Sequence, residues 1–382
     1  MKILHVVDSI NRAIGGPARS VTRLADTMAN DGHEVTVLAN DYRELGPSQP
    51  LHHARAVLVP ARRLPFRFGA WSPGLAAAMQ REVTRADWIH IHGIWLRPNH
   101  LAAKLARRQG KPYCISPRGM LETWAANHRK FRKQIVWHWE EKRLLSEANF
   151  LHATSEAEAA NLNTLRIARE IVVAPNGVDL PDSPVGREVV ENRFPVLRHL
   201  RILLFLSRLH PKKGLDELLN GWSRLAPNHP DWILAVCGDD FDNRQVTYHS
   251  RSNELGIPAN QILFTGHLEG DEKSAMLGAC ELFVLPSHSE NFGIVIGEAL
   301  AAGKPVITTR ATPWPWIELE GCGWWISPGE SALAASLSQA LKLTSGELAE
   351  RGARGPSLIR SRFNWKASSQ ILLSAYQSAL NS

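Results

Sequence analysis

Long apolar runs are missing from this chain of 382 residues, and none reaches the length of a membrane span. The N-terminal run Ile3-Leu4-His5-Val6-Val7 is too short for a signal peptide and is halted by Asp8. Cysteine is sparse as well. Cys114, Cys237, Cys280 and Cys322 lie far apart with no C-x-x-C pair, which indicates neither a disulfide framework nor zinc and fits a reducing cytoplasm. There is no G-x-G-x-x-G motif and no internal repeat of short period. Acid is scarce only in the first half: residues 1–180 carry 25 Lys+Arg against 16 Asp+Glu, while the remainder carries 19 against 21. A basic half can attract nucleic acid, anionic lipid or a phosphorylated substrate, and composition alone does not choose among them.

What is present describes a folded globular protein, with 44% hydrophobic and 21% charged residues and length enough for two domains. Apolar runs alternate with amphipathic stretches, the pattern of repeated β-α units and parallel sheets. The first series places strands at 3–7, 34–39, 56–59, 88–91, 113–116, 150–153 and 171–173. The second places them at 200–206, 233–237, 262–264, 282–285 and 306–308, with two or three helices after about Glu330. Asn176-Gly177-Val178-Asp179 and the proline-rich run to Pro195 form the candidate linker between the two series.

Chemistry-bearing residues gather at the expected C-terminal ends of strands, where open α/β sheets take ligands. Gly15-Gly16-Pro17 follows the first strand and reads either as a flexible turn with proline at a helix start or as a backbone cradle. His90 and His92 alternate along a strand end and are expected on opposite faces, His92 toward the ligand and His90 packed or capped. Their H-x-H spacing resembles a metal site, but no nearby carboxylate or cysteine completes it. Arg118, in Ser116-Pro117-Arg118-Gly119, is either a solvated loop residue or a cation facing the ligand. The segment from Asn127 to Leu145 carries Arg129, Lys130, Arg132 and Lys133 among Phe131, Trp137 and Trp139, and suits either a core-facing stripe or contact with anionic lipid. Asp240-Phe241-Asp242 spells D-x-D and is read as a loop.

The most specific stretch is Glu290-Asn291-Phe292-Gly293 followed by Ile294-Val295-Ile296-Gly297-Glu298. Gly293 opens a helix after a buried strand, aiming backbone N–H groups and a positive dipole end at an anion. On one continuous helix, eight residues would hold Glu290 and Glu298 about 12 Å apart, beyond either glycosidase carboxylate spacing. Two distant acids with Arg208 and Lys213 nearby fit the two ends and the charged middle of a nucleotide-diphosphate sugar.

Taken together, E-x7-E with Phe292-Gly293, Ala299-Leu300-Ala301-Ala302-Gly303-Lys304-Pro305, Ser207-Arg208…Lys213-Gly214, Pro175-Asn176-Gly177-Val178-Asp179, Phe264-Thr265-Gly266 and Gly15-Gly16 resemble the retaining glycosyltransferases of family 4 (group 1) over most of the chain. The resemblance implies the GT-B fold: two Rossmann-like β/α/β domains with a donor cleft between them. Residues 1–180, completed by a helix at 364–382, would form the acceptor side, 181–198 the linker and 199–363 the donor side. It implies Arg208, Lys213 and Glu290 as catalytic, the two cations on the diphosphate and Glu290 on the sugar hydroxyls. Glu298 would hold the ribose diol, the backbone of Asn291, Phe292 and Gly293 would line sugar and phosphate, and Gly15 and Gly16 would close over the diphosphate. Many members carry a histidine where this chain has Arg118, so His92 and Arg118 are the acceptor-side candidates.

The resemblance implies no cofactor and no metal, with the nucleotide sugar as co-substrate and a saccharide or lipid-linked saccharide as acceptor. It also implies a cytoplasmic protein with its basic half toward the inner face of the membrane, making polysaccharide or glycolipid. Nucleic acid is not an expected partner, since no reading motif accompanies the interleaved charges. The alternatives are a sugar-nucleotide hydrolase or epimerase of the same fold and a non-catalytic binder of polyanions.

Overall fold

The structure is a computed structural model that describes residues 1–63, 70–121, 141–167, 170–181, 185–240 and 243–381. Residues 127–140 of the basic, aromatic segment lie outside the described residues, as do Phe241 and Asp242 of the D-x-D. The chain divides into two units: Met1–Gly177 with Trp365–Ser382, and Val178–Asn364. Among the described residues no helix is long and apolar enough to cross a membrane.

Unit 1 is built on parallel strands β1 (Lys2–Ser9), β2 (Glu34–Asp41), β3 (Arg55–Pro60), β6 (Trp88–His92), β7 (Tyr113–Ser116), β8 (Phe150–Ala153) and β9 (Ile171–Val173), with a short antiparallel ribbon of β4 (Arg62–Arg63) and β5 (Ala70–Trp71) apart from them. The order is β3-β2-β1-β6-β7-β8-β9. After β3 the chain therefore returns past β1 and continues on its other side. Helices cover both faces, which is why β1, β6 and β7 have almost no exposed residue between their ends. The helix Gly16–Asn30 ends before Gly32, whose φ of +89° closes the turn. The last helix, Trp365–Leu380, packs in the same unit, its Trp365, Leu372, Leu373 and Tyr376 joining Val21, Leu24, Trp88 and Phe150 in one core.

Unit 2 repeats the plan with β10 (Arg201–Leu206), β11 (Trp232–Cys237), β12 (Ile262–Gly266), β13 (Leu282–Leu285), β14 (Val306–Thr309) and β15 (Gly323–Ile326), in the order β12-β11-β10-β13-β14-β15. β10 beyond Arg201 and all of β11 are unbroken apolar runs because both faces are covered. The sequence misses β15: Gly-Trp-Trp-Ile is short, does not alternate and pairs on one side only, so it carries little of a strand's signature. It also understates the helices after Glu330, where Glu330–Leu341, Ser345–Gly352 and Gly355–Arg362 precede the last one. Residues 181–198, read as linker, hold the helix Glu188–Arg193 with Val190 in the core of unit 2.

The helix Ile294–Ala301, which carries Glu298, packs against the helix Gly355–Arg362. Gly355 allows that approach, since a Cβ there would lie 2.4 Å from the Leu300 carbonyl oxygen. Gly355→Ala is expected to destabilise the protein by about 1–3 kcal/mol through overpacking, seen as a lower urea midpoint.

Candidate active site

In unit 2 the chain reverses its direction of travel between β10 and β13, and the residues singled out by sequence converge at that end of the sheet. The loop after β10 begins with Ser207, whose N–H bonds the Cys237 carbonyl at 2.9 Å, and Leu209, whose N–H bonds Asp239 at 2.9 Å. Gly238 makes this seam fit, since a Cβ there would meet the Ser207 carbonyl oxygen at 1.7 Å. Fastened between those two bonds, Arg208 is exposed and makes no ion pair among the described residues.

The same loop turns through Pro211–Lys213 and Gly214, whose φ is +73° and whose close neighbour is the Pro286 carbonyl. That approach brings Lys213 to Glu290. The Nζ–Oε1 distance is 2.5 Å, with side chains only 12% and 9% exposed, and Ser287 Oγ donates to the same carboxylate at 2.7 Å. Burial pushes the Glu290 carboxyl up, but the charge and hydrogen bond of Lys213, the Ser287 bond and the charge of Lys212 outweigh it, and its pKa is lowered. Glu290 is thus an ionised acceptor at neutral pH.

Gly293, in the left-handed region at φ +74°, caps the helix Ile294–Ala301 without a side chain, leaving its first amides at the strand end. Asn291 is half-buried. Phe292 is less available than its position in the motif implies: its ring packs against Trp314 and Phe363, and its carbonyl accepts from Trp314 Nε1 at 2.5 Å. Glu298, buried on the helix, accepts from Lys273 Nζ at 2.6 Å. Neither Lys273 nor Ser287 stands out in the sequence. Lys273 lies on a helix with no motif of its own, and Ser287 reads only as the residue after a strand-ending proline.

In unit 1, Gly15 has φ +79° and Gly16 opens the helix Gly16–Asn30 ahead of Pro17. The expectation that His90 and His92 face opposite sides is wrong. Residues two apart on a strand share a face, and the two rings lie 3.9 Å apart, both buried. They belong to a set of imidazoles whose proton positions follow from their partners. Arg118 donates to His92 Nδ1 from Nε at 3.3 Å and from Nη2 at 3.0 Å, so His92 carries its proton on Nε2 and gives it to His5 Nδ1 at 2.8 Å. His152 Nε2 donates to the Ala174 carbonyl, Ser116 Oγ to His152 Nδ1, His90 Nε2 to Ser116, and Tyr376 Oη to His90 Nδ1.

These four rings are neutral, in keeping with pKa values of about 3 for His5 and His152 and well below the usual range for His90 and His92. Burial is the main cause, with neighbouring rings and Arg118 adding to it. Arg118 itself is pulled down to about 10 by burial, opposed by Glu158. It is therefore not a solvated loop residue. Its guanidinium is bonded to His92 and, at 2.9 Å, to Ser20 Oγ, bracing the start of the helix Gly16–Asn30.

His5, His90 and His92 bring ring nitrogens within 4.8 Å of one another. His5, from the adjacent strand, is the third member that the H-x-H spacing could not show. A cation there would have to displace the proton from His92 Nε2 while Arg118 occupies Nδ1.

Two family profiles match the chain: "Glycosyltransferase Family 4" over residues 14–181 and "Glycosyl transferases group 1" over residues 191–354. Among curated relatives, a GDP-mannose:cellobiosyl-diphosphopolyprenol alpha-mannosyltransferase of Xanthomonas oryzae is 25% identical over 394 residues, covering 100% of this chain and 97% of its own. A glycogen synthase of Mycobacterium tuberculosis is 27% identical over 403 residues, covering 95% and 92%. Among solved structures, a sucrose-phosphate synthase from Thermosynechococcus elongatus superposes with a TM-score of 0.77 at 18% identity, covering 100% of this chain and 99% of its own. Anabaena HepE in complex with UDP and glucose does so at 0.75 and 20%, covering 99% and 100%. These two likenesses speak for the fold.

Lys213→Met removes the partner of a nearly buried carboxylate and is expected to cost about 3–5 kcal/mol at neutral pH. Because the folded-state pKa of Glu290 is lowered, the pair's contribution is complete above the unfolded carboxyl value of about 4.3. It is lost as pH falls through the lower folded value. Urea titrations at pH 7.5 and pH 4 should show the difference between wild type and variant shrinking at the lower pH.

Proposed function

The chain belongs to the group 1 glycosyltransferases of GT-B fold, which transfer sugars from nucleotide-sugar donors in making glycans, and from that footing we propose a retaining, metal-independent hexosyltransferase that acts on an acceptor hydroxyl of a saccharide or lipid-linked saccharide. The observation that carries the proposal is the buried Lys213–Glu290–Ser287 cluster on the loops that flank the reversal of the unit 2 sheet, with Arg208 exposed on the same loop as Lys213.

As the acceptor hydroxyl attacks the anomeric carbon, the bond to the nucleoside diphosphate breaks and negative charge grows on the leaving oxygen. Cations fixed where that charge appears lower the barrier without reorganising. Lys213 already shares its charge with Glu290, so Arg208 is the principal diphosphate cation, and its planar fork can grip two phosphate oxygens. Lys213 holds Glu290 ionised and oriented, and the carboxylate accepts hydroxyls of the transferring sugar. Lys273, bonded to Glu298 at 2.6 Å, orients that carboxylate toward the ribose diol. The amides at Ile294 and beyond add the positive end of a helix dipole. These groups can stabilise a departing diphosphate without a metal, which supports the metal-independent reading. A lipid-linked acceptor agrees with the acceptor in the Xanthomonas relative's name and with the basic first half of the chain.

Glu290→Gln should abolish sugar transfer while a nucleoside diphosphate still raises the melting temperature, and Arg208→Ala should slow transfer about a hundredfold to a thousandfold. The measurement is a thermal-shift panel of UDP, GDP and ADP, followed by release of the bound nucleotide from its sugar donor with and without acceptor. Wild-type transfer by Glu290→Gln would refute the assignment, and donor turnover equally fast without acceptor would identify a hydrolase.

A further inference from the structure

Unit 1 reverses its direction of travel between β1 and β6, just as unit 2 does between β10 and β13. At the end of β1 stands Asp8, to which the mechanism gives no part. Its Oδ1 accepts from Tyr42 Oη at 3.1 Å and from Asn40 Nδ2 at 3.1 Å. Its Oδ2 has no partner among the described residues. Asn40, at the end of β2 and 1% exposed, also directs Nδ2 to Tyr42 Oη at 3.3 Å, and its Oδ1 is buried with no partner. Since an ionised carboxylate only accepts, the amide must present its NH₂ to Asp8, and the orphaned atom is the oxygen.

Two acceptor oxygens on neighbouring strands therefore lack donors. Asn40 Oδ1 is buried, so leaving it unbonded is costly and a native structure usually supplies the missing partner, whereas Asp8 Oδ2 keeps access from solvent, as an entering hydroxyl requires. The surroundings are rigid. Asn11 Oδ1 takes Ser9 Oγ at 2.5 Å and the Tyr42 N–H at 3.3 Å, Asn11 Nδ2 donates to the Gly46 carbonyl at 2.8 Å, and Asn11 bridges to Ser48. The Arg63 guanidinium lies 5.3 Å from the Tyr42 ring centre. Burial raises the Asp8 carboxyl, against the bonds of Tyr42 and Asn40 and the charge of Arg63.

We infer that Asp8 and Asn40 form a hydroxyl-binding subsite on unit 1 for the saccharide acceptor, with Asp8 Oδ2 accepting a hydrogen bond from an acceptor hydroxyl. The inference rests on the transferase reading. The unmet atoms are acceptors and one is a carboxylate oxygen, so the matching ligand is a neutral polyol, and Asp8 disfavours a phosphate or carboxylate at the same spot. Tyr42 and Asn40 hold Oδ1, fixing the direction of Oδ2. A purely structural Asp8, buttressing the turn after β2, would affect folding and donor and acceptor kinetics alike.

The test follows nucleoside diphosphate release from the sugar donor whose nucleotide binds wild type, in water alone and with cellobiose, mannose or myo-inositol as soluble probes. At least one probe should accelerate release by wild type. Asp8→Asn should raise that probe's KM about tenfold or more, as expected for loss of a charged hydrogen bond. The donor KM and the rate in water alone should be unchanged. Tyr42→Phe, which removes one of the two bonds to Oδ1 but retains the carboxylate, should raise the probe's KM by about threefold, and carries the test if Asp8→Asn does not fold. The inference is overturned if the variant that folds leaves the probe's KM unchanged, if donor and probe KM rise together, or if no probe accelerates release although nucleotide binds. Failure of every nucleotide to bind wild type would instead refute the transferase reading.

Discussion

The ion pair between Lys213 and Glu290 joins the loop leaving β10 to the loop leaving β13 at the one place where the unit 2 sheet changes its direction of travel. Much of the site depends on it. Gly214 must adopt a left-handed turn to pass Pro286 so closely, and Gly238 must lack a side chain for the β10 loop to lie against the turn after β11. Once those contacts set the backbone, Arg208 is held outward and Glu290 is held ionised. A buried pair of this kind gives little net stability. Its value here is geometric, because two loops from different strands acquire one fixed relation before any ligand arrives.

Unit 1 uses buried polarity differently. Its imidazoles are stacked under the sheet ends, and each proton has a single consistent position from Tyr376 to the Ala174 carbonyl and from Arg118 to His5. Neutral rings in low dielectric, each with at least one bond, make a directional scaffold that ends at His5, whose Nε2 is buried without a partner among the described residues. Arg118 is the one cation in that row. Its bonds to His92 and Ser20 give it a bracing task.

The fold was legible because parallel strands covered on both faces leave unmistakable apolar runs: Leu282–Leu285 and Phe150–Ala153 were located to the residue. The E-x7-E element and the Arg208…Lys213 loop were legible because their glycines and charges lie close together in sequence. Lys273 and Asp8 were not, since their meaning lies in partners 25 and 34 residues away that no local pattern announces, and Ser287 was not because a serine after a strand-ending proline carries no signature of its own. The histidines were misjudged by a slip of parity, because two residues along a strand is one full pleat. β15 was hidden because an edge strand of four residues needs only one neighbour.

The return of the helix Trp365–Leu380 to unit 1 has a consequence for the order in which the protein forms. During synthesis the first 177 residues emerge without the helix that covers Trp88 and Phe150 and gives His90 its Tyr376 donor, whereas Val178–Asn364 is complete as one uninterrupted piece. Unit 2 is therefore free to finish folding on the ribosome while unit 1 still presents an open apolar face and a His90 Nδ1 without its donor. Unit 1 becomes whole only after unit 2 has been made, so the vectorial growth of the chain itself sets the sequence of assembly.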